Sequence, residues 1–263
     1  MTPKPSDIRR TALDALRNDV LDVLVIGGGI VGAGVARDAA LRGLRVGLVE
    51  QYDFASGTSG RSSRLLHGGL RYLAQGRIGL VRQASREKKI LAAIAPHLVR
   101  PLAFTFPTFK GSGWPRWKLR LGVKLYDWLN PGGNLGRSTG LSFDDVRASV
   151  PGIRTEDLTG GVRYFDALTN DARLVIDTLR SAAVGGAIVA NYVALASASR
   201  DGATWRCHLR DAETGEEFDA RARAVVNAAG AWAARFPASR VRLRLTKGIH
   251  VVVDRARLPV TDA

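Results

Sequence analysis

Residues 21–50 read LDVLVIGGGIVGAGVARDAALRGLRVGLVE. The first six residues are mainly apolar and rich in β-branched side chains, which indicates a buried parallel strand. A helix-compatible stretch runs from Ile30 to Arg42, and residues 44–50 form a second apolar run that ends on Glu50. Because strand, turn, helix and strand follow one another within about 30 residues, this stretch predicts a βαβ unit and an α/β fold.

The turn after the first strand contains the pattern Gly27-x-Gly29-x-x-Gly32. In such a turn the first glycine permits the tight bend, the second lets the backbone approach a pyrophosphate, and the third lets the helix pack closely on the sheet. Glu50 ends the next strand and can accept hydrogen bonds from ribose hydroxyls. The pattern therefore predicts a dinucleotide site. A carboxylate at residue 50 disfavours the 2′-phosphate of NADP, whereas FAD and NAD both stay open.

Composition narrows the class of protein. The chain has 263 residues, 46% of them hydrophobic and 24% charged, which excludes disordered and collagen-like proteins. Cys207 is the only cysteine, so no intrachain disulfide can form, and no set of His, Asp or Glu has the spacing of metal ligands. The first 20 residues carry charges throughout and do not resemble a signal peptide. No run of 18 apolar residues follows, and we expect a soluble or peripheral protein without a metal site.

The formal net charge of +15 indicates an anionic partner, and the charge alone leaves nucleic acid, an anionic membrane surface and a phosphorylated substrate open. Residues 71–130 hold twelve basic and two acidic side chains, a net of +10. Within them, residues 110–124 place Trp114 and Trp117 among five cations. This segment fits either an anionic membrane surface or a charged helix packed on its own domain. No nucleic-acid-binding module is recognisable, and we expect no nucleic acid partner.

Further motifs occur along the chain and share one resemblance. They are DFASGTS at 53–59, SSRLLHGGLRYL at 62–73, DARL at 171–174, VNAAGAW at 226–232 and KGIHVV at 247–252. In this order they resemble the signature of FAD-dependent, quinone-linked glycerol-3-phosphate dehydrogenases, within the superfamily of flavoproteins similar to D-amino-acid oxidase. The resemblance implies FAD rather than NAD as the cofactor.

The resemblance also implies a domain organisation. We expect a Rossmann-like FAD-binding domain formed by residues 18–100 and 151–236. An inserted, incomplete antiparallel β substrate domain would comprise residues 101–150 and 237–263, and residues 1–17 would be an N-terminal extension. Since the chain corresponds to the N-terminal half of the family, we expect a partial member that lacks the arginines for the substrate phosphate.

Site residues follow from the matching positions alone. The residues expected to hold the ADP half of FAD are Gly27, Gly28, Gly29, Ile30, Gly32 and Glu50. Those expected along the pyrophosphate and flavin are Thr58, Ser59, Ser62, Ser63, His67, Gly68, Gly69, Ala229 and Gly230. Lys247 and His250 would lie on a last strand, residues 243–253, facing the flavin. His250 is the candidate base at the substrate hydroxyl, and Arg71 is a candidate contact for the substrate phosphate.

The implied activity is the oxidation of sn-glycerol 3-phosphate to dihydroxyacetone phosphate, with electrons passed to membrane quinone. Three alternatives stay open: an amino-acid or amine oxidase of the same fold, a non-catalytic FAD-binding fragment, and a basic surface-binding protein with a vestigial βαβ unit. We expect a cytoplasmic protein, with peripheral association with the inner face of the cytoplasmic membrane as a further expectation. A homodimer is one of the open assembly states.

Overall fold

The computed structural model describes residues 5–111, 113–130, 134–236, 239–246, 248–254, 256–260 and 262–263. The helices are α1 (Pro5–Asn18), α2 (Ile30–Leu41), α3 (Leu70–Leu73), α4 (Ile78–Ile94), α5 (Arg116–Trp128), α6 (Phe143–Ser149) and α7 (Asp171–Val184). The strands are β1 (Val20–Ile26), β2 (Val46–Val49), β3 (Leu65–Leu66), β4 (Arg100–Phe109), β5 (Thr139–Leu141), β6 (Leu158–Leu168), β7 (Ile188–Ala190), β8 (Val193–Asp201), β9 (Thr204–Asp211) and β10 (Glu217–Asn227). Short 3-10 helices cover Thr58–Gly60, Pro96–Leu98 and Gly230–Arg235.

The chain divides into two compact units. The first comprises Met1–Ser62 and Asn170–Gly248, and the second comprises Ser63–Thr169 and Ile249–Ala263. These boundaries differ from the predicted division at residues 100, 150 and 236. The difference arises because β6 pairs with both β3 and β4, so the residues around these strands join the second unit. Which ranges bind cofactor and which bind substrate stays a prediction.

The first unit is built on a mixed sheet. In its described residues, six strands are ordered β7-β2-β1-β10-β9-β8. The first four strands in this order run parallel to one another, while β9 and β8 continue the sheet antiparallel. The predicted βαβ unit is therefore confirmed, since β1, α2 and β2 have nearly the predicted bounds.

Helices cover both faces of this sheet. On one face α2 and α7 pack through small residues, among them Ala36, Ala40 and Ala182, which let helix and sheet approach closely. On the other face α1 buries Leu13 and Leu16 against strand residues such as Leu24. Within the predicted N-terminal extension, residues 5–17 thus belong to α1, which packs into the core of the first unit.

The second unit contains an antiparallel sheet. Among its described residues, β6 pairs with β4 along one edge and with β3 and β5 along the other. The predicted antiparallel β component of the fold is confirmed. The predicted strand 243–253 is wrong, because residues 243–246 and 248–253 have no regular secondary structure. A strand requires a hydrogen-bonded neighbour, and none of the described strands pairs with this segment.

Candidate functional site

The carboxyl ends of β1, β2 and β10 meet at one edge of the first unit's sheet. In the parallel register Ile26 lies opposite both Val49 and Asn227, the last residues of β2 and β10. The chain therefore leaves all three strands at the same edge. In open α/β sheets, ligands bind outside the carboxyl ends of the strands, where neighbouring connections diverge.

The glycine-rich turn occupies this edge and leaves no room for side chains. Gly27 has a φ of +115°, and a Cβ there would lie 2.6 Å from the carbonyl oxygen of Ala228. A Cβ on Gly32 would collide with the carbonyl oxygen of Gly27. The turn thus brings α2 against β1 and β10 at a distance that only glycine permits.

Hydrogen bonds connect this turn to Glu50. The Gly28 amide donates to Oε2 of Glu50 at 2.7 Å, and the Tyr52 amide donates to Oε1 at 2.9 Å. The Glu50 side chain is partly buried, so these bonds fix its carboxylate at the end of β2. The position suits an acceptor for ribose hydroxyls.

The start of α2 carries backbone amide donors. The Ile30 amide donates to Oγ of Ser59 at 3.0 Å, and the first turn of α2 contains no acidic side chain. The amide groups and the helix dipole give this end a partial positive charge. Such an end binds phosphate groups, and here Ser59 supplies a hydroxyl beside it.

A cavity of about 720 Å³ extends along this edge. The predicted residues that line it are Gly27, Gly29, Ile30, Glu50, Thr58, Ser59, Ala229 and Gly230. Gly28 and Gly32 are buried behind this lining and shape the turn. Apolar side chains, including Val193 and Leu195, line the cavity together with Glu50. Apolar walls for a purine, a carboxylate for ribose and a helix N-terminus for phosphates fit a dinucleotide such as FAD.

Several lining residues escaped the sequence interpretation. Two of them, Arg61 and Arg235, add positive charge to the wall of the cavity. Asn227 shapes it, because its side chain donates to the Ala233 carbonyl at 2.8 Å and accepts from the Ala229 amide at 3.3 Å. An arginine inside the Ser/Gly-rich loop and another just after VNAAGAW were the signals that could have identified the two cations.

The remaining residues predicted along the cofactor lie outside this lining. Ser62 is exposed in the first unit and its hydroxyl is hydrogen-bonded to Asp171. The others belong to the second unit, where Ser63 and His67 are exposed while Gly68 and Gly69 are buried. Their predicted contacts with the flavin stay predictions.

The structure describes the three candidate catalytic residues to different extents. Lys247 lies outside the described residues, and Arg71 contributes its backbone to α3. His250 is exposed in a segment without regular secondary structure, so its predicted placement on a strand is wrong. The proposed roles of these three residues stay predictions.

Comparison with known proteins defines the class of this site. Residues 22–263 match the FAD dependent oxidoreductase family, and the chain belongs to that family. FAD as the predicted cofactor and the Rossmann-like α/β fold are thereby confirmed. The class is that of flavoproteins which oxidise their substrates through bound FAD.

Two relatives narrow the comparison. The chain is 42% identical over 257 residues to the glycerol-3-phosphate dehydrogenase of Mycobacterium leprae (strain TN). This alignment covers 95% of this chain and 44% of that protein. It is 39% identical over 255 residues to the aerobic glycerol-3-phosphate dehydrogenase of Staphylococcus aureus (strain MRSA252), and this alignment covers 94% of this chain and 46% of that protein. The chain thus spans less than half the length of these relatives.

A solved structure supports the fold. The glycerol-3-phosphate dehydrogenase from Bacillus halodurans, complexed with FAD, superimposes with a TM-score of 0.66 and 32% identity. The match covers 85% of this chain and 37% of that one. Glycine oxidase from Geobacillus kaustophilus matches with a TM-score of 0.61 at 22% identity, which bears on the fold alone.

Proposed function

We propose that this chain is the FAD-binding part of an enzyme that oxidises sn-glycerol 3-phosphate to dihydroxyacetone phosphate. The observation that carries this proposal is the cavity at the carboxyl ends of β1, β2 and β10. It combines the glycine-rich turn, Glu50 and the open N-terminus of α2. The 42% identity to a glycerol-3-phosphate dehydrogenase supports the choice of substrate.

The residues of the cavity divide the binding of FAD among them. Glu50 accepts hydrogen bonds from the ribose, and the amides at the start of α2 orient the pyrophosphate. Arg61 and Arg235 offset the two negative charges of the pyrophosphate. FAD held by these residues would supply the acceptor for the hydride from C2 of the substrate, and the protein would supply position and electrostatics.

The proton of the substrate hydroxyl needs an acceptor. We assign this role to His250, since an imidazole can exchange a proton near neutral pH. The change His250→Asn is then expected to lower kcat about a hundredfold while leaving FAD binding unchanged. A variant with full kcat would remove His250 from the mechanism.

A single experiment tests the proposed activity. The purified chain is mixed with FAD, separated from free flavin, and examined for visible absorption at neutral pH. It is then mixed anaerobically with glycerol 3-phosphate. We expect a yellow protein whose flavin absorption is bleached by glycerol 3-phosphate. A colourless protein that takes up no FAD would contradict the cofactor site.

Two of the alternatives give different results in the same experiment. Bleaching by amino acids or amines, but not by glycerol 3-phosphate, would identify an amine or amino-acid oxidase. Tight FAD binding with no bleaching by either substrate class would identify a non-catalytic FAD-binding chain. Either outcome would contradict the proposed substrate but would leave the proposed flavin site in place.

We also propose that the electrons pass to quinone at an anionic membrane surface, on which α5 lies. Trp117, Leu121, Leu125 and Trp128 are spaced along one side of α5, and each is more than a third exposed. The same helix carries the exposed cations Lys118, Arg120 and Lys124. Exposed aromatic and basic side chains on one helix support binding at the interface of anionic lipid.

None of the described helices has the length and apolar character needed to cross a membrane.

Vesicle flotation tests this surface. We expect the chain to float with vesicles that contain phosphatidylglycerol and to stay behind with pure phosphatidylcholine. The triple change Lys118→Gln, Arg120→Gln and Lys124→Gln should reduce flotation at least tenfold, since each cation near the surface contributes about 1 kcal/mol. Arg210→Gln, an exposed cation of β9, is the control and should float normally. Equal flotation of both variants would contradict the assignment to α5.

A further inference from the structure

The second unit contains a buried lysine. Lys88 on α4 is 2% exposed, and its Nζ lies 2.7 Å from Oδ1 of Asp166 on β6. It also donates to Oδ1 of Asn134 at 3.1 Å. The hydroxyl of Tyr126 on α5, which is fully buried, donates to the same Asp166 oxygen at 2.7 Å. Since a buried ion pair adds little stability over apolar packing, stability alone is a weak account of this cluster.

The same Asp166 oxygen has a third donor, the backbone amide of Gly68, at 3.0 Å. Gly68 lies between β3 and α3, in the His67-Gly68-Gly69 turn. One carboxylate oxygen thus joins α4, α5 and β6 to this turn.

The cluster also limits the space around Gly68. A Cβ there would lie 2.6 Å from Oγ of Ser85 and would overlap the Tyr126 hydroxyl. The next residue, Gly69, has a φ of +75°, a backbone conformation that favours glycine. The backbone at residues 68 and 69 is therefore held by a hydrogen bond and by close packing.

We propose that Lys88, Asp166 and Tyr126 form a positioning site for the Gly68 amide, which fixes the conformation of the turn at residues 67–69. These are positioning residues, because they act through the backbone of the turn. The inference rests on the proposed function in one respect, since the turn affects catalysis only if it faces the flavin.

The chemistry of the cluster explains why a charged group is present. An ionised carboxylate only accepts hydrogen bonds. It therefore suits a site in which all three partners, Lys88, Tyr126 and the Gly68 amide, are donors. The Lys88 ammonium lies 2.7 Å from the same carboxylate oxygen of Asp166 and supplies the opposite charge beside it. Burial, followed by the nearby Asp166 charge, raises the pKa of Tyr126, so its hydroxyl keeps its proton and donates. Hydrogen bonds to an ionised acceptor are about twice as strong as neutral ones.

Two double variants isolate the acceptor from the charges. Lys88→Met with Asp166→Asn removes both charges but keeps a carbonyl oxygen for the Gly68 amide. Lys88→Met with Asp166→Leu removes both charges and the acceptor. We expect hydrogen exchange of the Gly68 amide, measured without added FAD, to be about tenfold faster in the leucine variant. Equal exchange rates in the two variants would overturn the proposal.

The unmodified chain provides a measurement that does not depend on either variant folding. Its Gly68 amide should exchange at least tenfold more slowly than the same amide in a free peptide of residues 63–73. A rate equal to that of the peptide would overturn the proposal. Asp211→Asn is the matched control, because Asp211 is also buried and accepts from Arg9 and from the Glu213 amide, but in the first unit. It should leave exchange at Gly68 unchanged.

The FAD-loaded proteins test the catalytic consequence. We expect the leucine double variant to show an altered flavin absorption spectrum and a kcat reduced about tenfold relative to the asparagine double variant, with a smaller change in KM. Identical spectra and kcat values would overturn the catalytic part of the inference. If no variant oxidises glycerol 3-phosphate while the exchange difference is present, the proposed substrate fails and the positioning of Gly68 stands.

Discussion

The backbone amide of Gly28 donates a hydrogen bond to Oε2 of Glu50 at 2.7 Å. This bond joins the glycine-rich turn after β1 to the residue that follows β2. The two signals of a dinucleotide site, the turn and the acidic residue, are therefore parts of one hydrogen-bonded unit. A carboxylate has about four acceptor positions, so Glu50 keeps capacity for ribose hydroxyls while it holds the turn.

The change Glu50→Gln tests this double role. Glutamine has one acceptor oxygen and cannot accept from Gly28, Tyr52 and a ribose in the same way. We expect the affinity for FAD to fall about tenfold, equivalent to the loss of one good hydrogen bond. Titration followed by flavin fluorescence measures the affinity. Glu87→Gln, at an exposed position of α4, should bind FAD normally. Normal binding by the Glu50 variant would show that the carboxylate only shapes the turn.

Two glycines on α2 provide a matched pair. A Cβ at Gly32 would collide with the Gly27 carbonyl oxygen, whereas a Cβ at the exposed Gly34 would meet nothing within 4 Å. We expect Gly32→Ala to destabilise the fold by about 2 kcal/mol or more and to abolish FAD binding. Gly34→Ala should stabilise the helix by about 0.5–1 kcal/mol. Urea unfolding measures both, and an equal effect of the two changes would contradict the close approach at Gly32.

Local sequence patterns predicted the strands and helices that are determined by residues close together in the chain. The strand predicted at 21–26 is observed at Val20–Ile26, and the helix predicted at 30–42 is observed at Ile30–Leu41. These bounds follow from β-branched runs, helical spacing and glycine breaks, which act within a few residues. The part of the site formed by this unit, from Gly27 to Glu50, was accordingly predictable.

Features that depend on partners were not predictable in the same way. The central strand β6 contains Gly160 and Gly161, which weaken the pattern of a strand. In the structure these glycines permit close strand contacts, since a Cβ on Gly161 would lie 2.7 Å from the Phe106 carbonyl oxygen. Conversely, residues 243–253 alternate like a strand but lack a partner among the described strands. The acceptor for the Gly68 amide, Asp166, lies 98 residues away and left no local signal.

Stability should depend on pH through His208. Its Nε2 lies 3.0 Å from Glu217 and its Nδ1 lies 3.0 Å from Asp219, and hydrogen bonds to these two carboxylates raise the pKa of His208. Because the folded-state pKa is raised, the stabilisation is complete below the unfolded-state pKa of about 6.5 and is lost as the pH rises through the folded-state pKa.

The measurement compares the original chain with His208→Gln. The thermal unfolding midpoints should differ most near pH 5.5, where carboxylates are still ionised, and should converge at alkaline pH. Titration of the His208 ring by NMR gives the pKa directly. A midpoint difference that does not change with pH, or a pKa below 6.5, would contradict the expected ion pairs.

The N-terminal helix α1 contributes to the core of the first unit, a role that is not expected from the sequence. The sequence predicts residues 1–17 as an extension, although Leu13 and Leu16 have a spacing that a helix could bury. In the structure Leu16 is fully buried, and a Cβ on Gly47 of β2 would lie 2.8 Å from its Cδ2. Leu16→Ala should therefore lower the free energy of unfolding by about 3 kcal/mol, through lost burial and the cavity that remains. Ile8→Ala on the same helix, where the side chain is 56% exposed, should change it by less than about 0.5 kcal/mol. Urea denaturation followed by circular dichroism measures both, and a small effect at Leu16 would mean that α1 is dispensable for the first unit.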